Sequence, residues 1–172
     1  MALLERRGTG AVIVEDRFVR LEDDAPLPDH GAVLVSLSRF QAERDALLAR
    51  EDEVGVWLES SESPSGFSEE MKADLGRLAL IALDFPVFSD GRAYSSARLL
   101  RERYGYKGEL RAIGDVLCEQ LPYMIRSGFS SFDMASPKAL EEFESVVGEV
   151  REVYQPTGDG RATVLDHRLG RG

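Results

Sequence analysis

Residues 90–96 hold the side chains best placed, by type and spacing, to do chemistry. Asp90, Gly91, Arg92, Tyr94, Ser95 and Ser96 follow an apolar strand pattern (LALIAL) and precede an arginine-rich helical pattern. In α/β proteins a strand-to-helix turn of this kind holds small anions on free backbone amides. Ser95 or Ser96 and the first-turn amides would bind sulfite, sulfate, phosphate or a carboxylate, with Tyr94 alongside and Arg92 as a bidentate fork. Asp90 and Asp115 are the candidate catalytic groups, as acid/base or as metal ligands. A plainer reading stands beside this one: Asp90 and Gly91 form a tight turn, Ser95 caps the helix and Arg92 pairs with a carboxylate.

A second pattern is the charged helix face. Arg98 and Arg101, with Glu102 and Arg103, offer a docking surface for an acidic partner, to which Arg111 and Arg126 could add. The alternative is a solvated face. Glu59, Asp84, Asp115 and Asp133 each fall at or just after a strand end, where carboxylates can converge on one mouth or merely cap helices and turns. Cys118 has no basic neighbour in sequence and reads as a small hydrophobe. His30, in a proline-rich loop, and His167, near the end, are not placed like a triad base. No metal site is assigned.

Composition narrows the classes. The chain has 172 residues, 31 acidic against 21 basic, a net charge of -10 and one cysteine. Phosphate-backbone binding needs a basic face, so nucleic acid is not an expected partner. A single cysteine excludes an intrachain disulfide and an all-cysteine cluster. No apolar run reaches spanning length and the first ten residues lack a signal-peptide core, so the expectation is a cytoplasmic protein without membrane contact.

The elements that must position these residues alternate along the chain. Residues 11–24 suggest an N-terminal β extension, a hairpin or bent strand appended at an edge. Strands are expected at 32–37, 54–58, 78–83, 110–113 and, weakly, 129–133. Helices follow from Ser38 as N-cap, from Ser68, over 95–104 up to Gly105, over 121–127 with Pro122 in the first turn, and from Ser136 onward with Leu140, Phe143, Val146, Val147 and Val150 on one stripe. About five strand-helix units imply an α/β fold with a mostly parallel sheet, either an open doubly wound sheet or a partial barrel. A single domain is expected over 1–154, with a flexible tail over 155–172.

Within this frame the segment FPVFSDGRAYSSARLLRERYGYKGELRAIGDVLCEQLPYMIRSGF resembles the core of a bacterial domain-of-unknown-function family. The resemblance rests on Phe85-Pro86, Asp90-Gly91-Arg92, Tyr94-Ser95, the run from Ala97 to Arg101, the run from Gly108 to Ala112, Gly114-Asp115-Val116 and Gln120-Leu121. Members are commonly labelled probable oxidoreductases involved in sulfite reduction and are encoded beside siroheme sulfite reductase. The resemblance therefore implies a role in sulfur assimilation with that enzyme as partner. Val87 stands where a basic residue is expected, and Pro122 interrupts a stretch that is usually apolar. No flavin, nicotinamide, iron-sulfur or haem motif is present, so no cofactor is expected and an accessory role fits better than a redox reaction.

Overall fold

The computed structural model describes residues 2–149. Eight strands form one sheet: β1 (Ala2–Arg7), β2 (Gly10–Val14), β3 (Phe18–Arg20), β4 (Ala32–Ser36), β5 (Val54–Leu58), β6 (Leu80–Phe85), β7 (Glu109–Gly114) and β8 (Ser131–Met134). Their spatial order is β2-β1-β8-β7-β6-β5-β4-β3. The six strands from β3 to β8 are parallel and sequential, whereas β1 runs antiparallel to both β8 and β2. The sheet is mixed, and it curls into a half-barrel. A doubly wound sheet needs a reversal of strand order, and none occurs here. Of the two expected architectures, the partial barrel is the one adopted.

Chain connectivity explains the curl. Strands β2 and β3 lie at opposite edges of the sheet yet are joined by residues 15–17 alone. Four Cα steps span at most about 15 Å, while seven inter-strand steps laid flat would span about 34 Å. The edges are thus drawn together. Arg17 bridges to Glu53 (2.5 Å) and Glu109 (3.4 Å), and Asp16 accepts from Arg111 at 2.7 Å, pinning this crossing segment near the amino ends of β5 and β7.

Strand alternation sorts the core into two faces. On the convex side Val33, Val35, Val56, Ile81, Leu83, Phe85, Ala112 and Phe132 pack under helix residues such as Phe40, Leu47, Met71, Leu100, Met124 and Phe143. The concave side holds a smaller cluster made only of sheet residues and their flanks: Phe18, Leu34, Leu80, Ala82 and Ile113, with Trp57 beside them. Gly55 lies there because a Cβ would come 3.0 Å from Leu80 Cβ and 3.1 Å from Leu34 Cδ1.

The helices are α1 (Leu37–Ala42), α2 (Arg44–Leu48), α3 (Glu69–Asp74), α4 (Arg92–Arg98, continued by a π turn over Leu99–Arg103), α5 (Leu121–Ser127) and α6 (Ala139–Glu149). Several expectations shift. The first helix is capped by Ser36, whose hydroxyl accepts from the Arg39 N–H, and not by Ser38. Glu43 breaks that helical stretch in two. The β extension is not merely appended: β1 starts at Ala2 and inserts between β2 and β8, while β3 forms the far edge. Ser68 caps α3 and Gly128 closes α5 in the left-handed conformation, as expected. Phe143 and Val147 are buried on α6. Val150 and the tail over 155–172 lie outside the described residues, and no described helix is long and apolar enough to cross a membrane.

Candidate functional site

The carboxyl ends of β5, β6 and β7 form the open mouth of the half-barrel, the end at which barrel folds place their working loops. The loop between β6 and α4 is held there by its neighbours. Gly114, at φ +91°, ends β7 so close to β6 that a Cβ would sit 2.5 Å from the Phe85 carbonyl oxygen and 2.6 Å from Asp84 Oδ1. Any side chain would push the two strand ends apart. With them together, the Asp115 N–H donates to the Phe85 carbonyl (2.7 Å) and Asp115 Oδ2 accepts from the Phe88 N–H (3.0 Å). Gln120 Nε2 donates to the Phe88 carbonyl at 2.7 Å, and the Asp90 N–H donates to the Val87 carbonyl at 2.9 Å. Both backbone polar groups of Phe88 are therefore tied by side chains from the segment between β7 and α5.

Asp90 and Arg92 lock the other end of the loop. Arg92 Nε lies 2.9 and 3.2 Å from the two Asp90 oxygens, Nη2 lies 2.6 Å from Oδ2 and 2.9 Å from Ser60 Oγ, and the Arg92 N–H reaches Asp90 Oδ1 at 3.1 Å. Hydrogen bonds from Arg92 hold the Asp90 carboxyl well below the usual range. The fork expected to grip an oxyanion thus already grips a carboxylate. Helix α4 begins at Arg92, with Gly91 as a cap that offers no side chain. Ser95 is exposed inside the helix and Ser96 is buried. Tyr94 packs edge-on against Phe85 at 5.2 Å, and burial pushes its phenol up. An oxyanion at this turn would have to compete with Asp90 for the guanidinium.

The arginines of the charged face part company. Arg98 is exposed and pairs with Glu102 at 3.3 Å, but Arg101 turns inward, donating to the carbonyls of Gly128 (2.9 Å), Tyr106 (2.8 Å) and Gly108 (2.8 Å). Burial lowers its pKa. Arg103 is exposed, and Arg111 faces the concave side at 2% exposure.

Glu59, Asp84, Asp115 and Asp133 do not converge on a metal site, although Glu59 and Asp90 lie near enough to help burial raise the Asp84 carboxyl. Among the described residues no three His, Cys, Asp or Glu side chains lie close enough to share a metal. Strand β7, with Ile113 in register with Asp84, separates β6 from β8, and Asp115 is engaged with Phe88. Burial raises the carboxyls of Asp84 and Asp133, opposed by Arg20 and Arg111 respectively. Burial likewise raises the Cys118 thiol, away from thiolate reactivity. His30 is exposed, 3.8 Å from Asp52. His167 lies outside the described residues.

Sequence reasoning assigned no contact role to the residues that face outward from this mouth. Val87 is 51% exposed and Phe88 60%, and Tyr123, one helical turn beyond Gln120, is 65% exposed. It also missed Arg20, whose guanidinium lies 4.2 Å over the Trp57 ring. The alternation in VGVWL, with Val54, Val56 and Leu58 on one face, was the signal that Trp57 points to the other.

The fold and site together define an α/β half-barrel that presents a braced apolar loop at its carboxyl mouth. The chain belongs to a family described as bacterial proteins of unknown function (DUF934), whose model matches residues 55–165. No curated protein and no solved structure matches it.

Proposed function

We propose that this protein is an accessory protein of assimilatory sulfite reduction, acting in the cytoplasm by docking siroheme sulfite reductase. One observation carries the reading: Phe85, Asp90, Arg92, Gly114, Asp115 and Gln120, all within the elements through which the chain resembles that family, combine to hold one surface loop. Residues spent on fixing a loop suit recognition of a partner better than bond-making. With no redox-cofactor motif in the sequence, the role is to assemble the reductase, stabilise it or couple it to its electron donor. The alternative, an enzyme or sensor holding an oxyanion at residues 90–96, has less support because Asp90 occupies Arg92.

Size-exclusion chromatography of the protein with the sulfite reductase haemoprotein, at low and moderate salt, tests the proposal. Co-elution is expected; separate elution at both salts overturns it. Calorimetric titration with sulfite, sulfate and phosphate tests the alternative, which fails if none binds.

A further inference from the structure

We infer that Val87 and Phe88, with exposed Tyr123 on α5 one turn after the bracing Gln120, anchor this protein in an apolar pocket, rimmed by basic residues, on a folded partner protein. Single exposed apolar side chains need no explanation. This loop differs in how it is held. The most exposed aromatic in it, Phe88, has its N–H fixed by Asp115 and its carbonyl fixed by Gln120, while Asp90 ties back to Val87. These bonds remove backbone freedom before any partner arrives, which lowers the entropic cost of binding. A rigid aromatic surrounded by smaller apolar contacts is the usual make-up of an interface hot spot.

Charge selects the partner. Exposed Asp115 and Glu119 flank the loop, and Asp90 and Arg92 beside it neutralise each other, so the rim is acidic on a chain of net charge -10. A second copy would bring two acidic rims together, and an anionic membrane would meet the same repulsion. A protein surface carrying Lys or Arg around an apolar pocket complements both features. This inference rests on the docking role proposed above and moves the contact from the arginine helix to the loop.

The test measures binding of the sulfite reductase haemoprotein to wild type, Phe88→Ala, Val87→Ser and Arg98→Glu, with thermal melts of each. Phe88→Ala is expected to raise Kd about tenfold or more, mainly through faster dissociation, without lowering Tm. Val87→Ser should weaken binding less, and Arg98→Glu should leave it within about twofold, the size expected of a contact outside the hot spot. Should Phe88→Ala lower Tm, Val87→Ser decides. Wild-type binding that survives both loop substitutions overturns the loop as anchor and leaves the docking role standing. Absence of wild-type binding overturns both.

Discussion

At the scale of single residues, arginines of the same local pattern have opposite fates, and the difference is measurable. Arg101 satisfies three backbone carbonyls around the turn after α4 and the end of α5, and its aliphatic stem fills the space against Gly128, where a Cβ would meet Arg101 Cγ at 2.5 Å. Arg101→Ala should cost about 2–4 kcal/mol in urea denaturation, from unsatisfied carbonyls and lost packing, whereas Arg98→Ala should stay within about 0.5 kcal/mol as an exposed helix pair. Equal effects would contradict the inward placement of Arg101. Asp84 supplies a pH-dependent case. Burial raises its carboxyl above the value of an unfolded chain, so the folded state holds the extra proton and stability falls as pH rises from that unfolded value through the raised one. Asp84→Asn removes the charge. It should therefore raise Tm at pH 7, and the gain should shrink as pH falls and vanish by about pH 2–3, where the carboxyl is protonated in both states. A Tm difference independent of pH would assign the effect to packing instead.

At the scale of elements, what could be read from sequence was what depends on local pattern. Strand β5 falls on residues 54–58 as expected because an uninterrupted apolar run between polar flanks has no competing period. Helix α5 ends at Gly128 as expected because the left-handed position favours glycine. Strand β1 was not legible: ALLERR carries three charges in six residues, and its strand state comes from pairing with β2 and β8, the latter about 130 positions away along the chain. Strand β6 runs two residues later than expected because Asp84 is tolerated at the open mouth and Phe85 buries behind it. In the candidate site, Asp90, Arg92 and Asp115 were recognisable as a polar group at strand ends. The pairing of Arg92 with a carboxylate was legible too, but the brace of Asp115 on the loop was not, because it depends on Gln120 and Phe88 meeting across two βα loops. That bracing predicts slow exchange of the Phe88 amide. Asp115→Ala should speed its exchange by about tenfold or more, as loss of one hydrogen bond to a charged acceptor implies, with most other strand amides of β5 and β6 unchanged. Hydrogen exchange followed by NMR reads this directly, and an unchanged Phe88 rate would mean that the loop is held by packing alone.

At the scale of the whole molecule, the half-barrel depends on a crossing segment of three residues and on the ions beneath it. Arg111, nearly fully buried, donates through Nε to Glu109 (3.0 Å) and through Nη1 to Asp16 (2.7 Å), while Ser131 Oγ donates to Glu109 at 2.6 Å. Arg17 closes the circuit to Glu109 and Glu53, and Phe18 sits below both guanidinium groups, 4.7 Å from Arg17 and 5.7 Å from Arg111. This network ties the edge-to-edge connection to β5, β7 and β8, so the curl and the ion pairs should fail together. Arg111→Met keeps the volume, strips Asp16 of its cationic partner while leaving it the Phe18 N–H at 3.0 Å, and leaves the Glu109 carboxylate with Arg17 and Ser131. Removing one member of a fully buried ion pair costs about 3–5 kcal/mol, but here Asp16 is 44% exposed and both carboxylates keep partners, so the expected cost is about 1–3 kcal/mol. Trypsin should then cleave after Arg17 under conditions that leave wild type intact, because the crossing segment opens before the parallel strands unfold. The double variant with Asp16→Ala should show a coupling of about 1–3 kcal/mol in a thermodynamic cycle. If Arg111→Met costs under about 1 kcal/mol and the segment stays protected, burial of Phe18 against Leu34, Leu80, Ala82 and Ile113 is what holds the sheet curled.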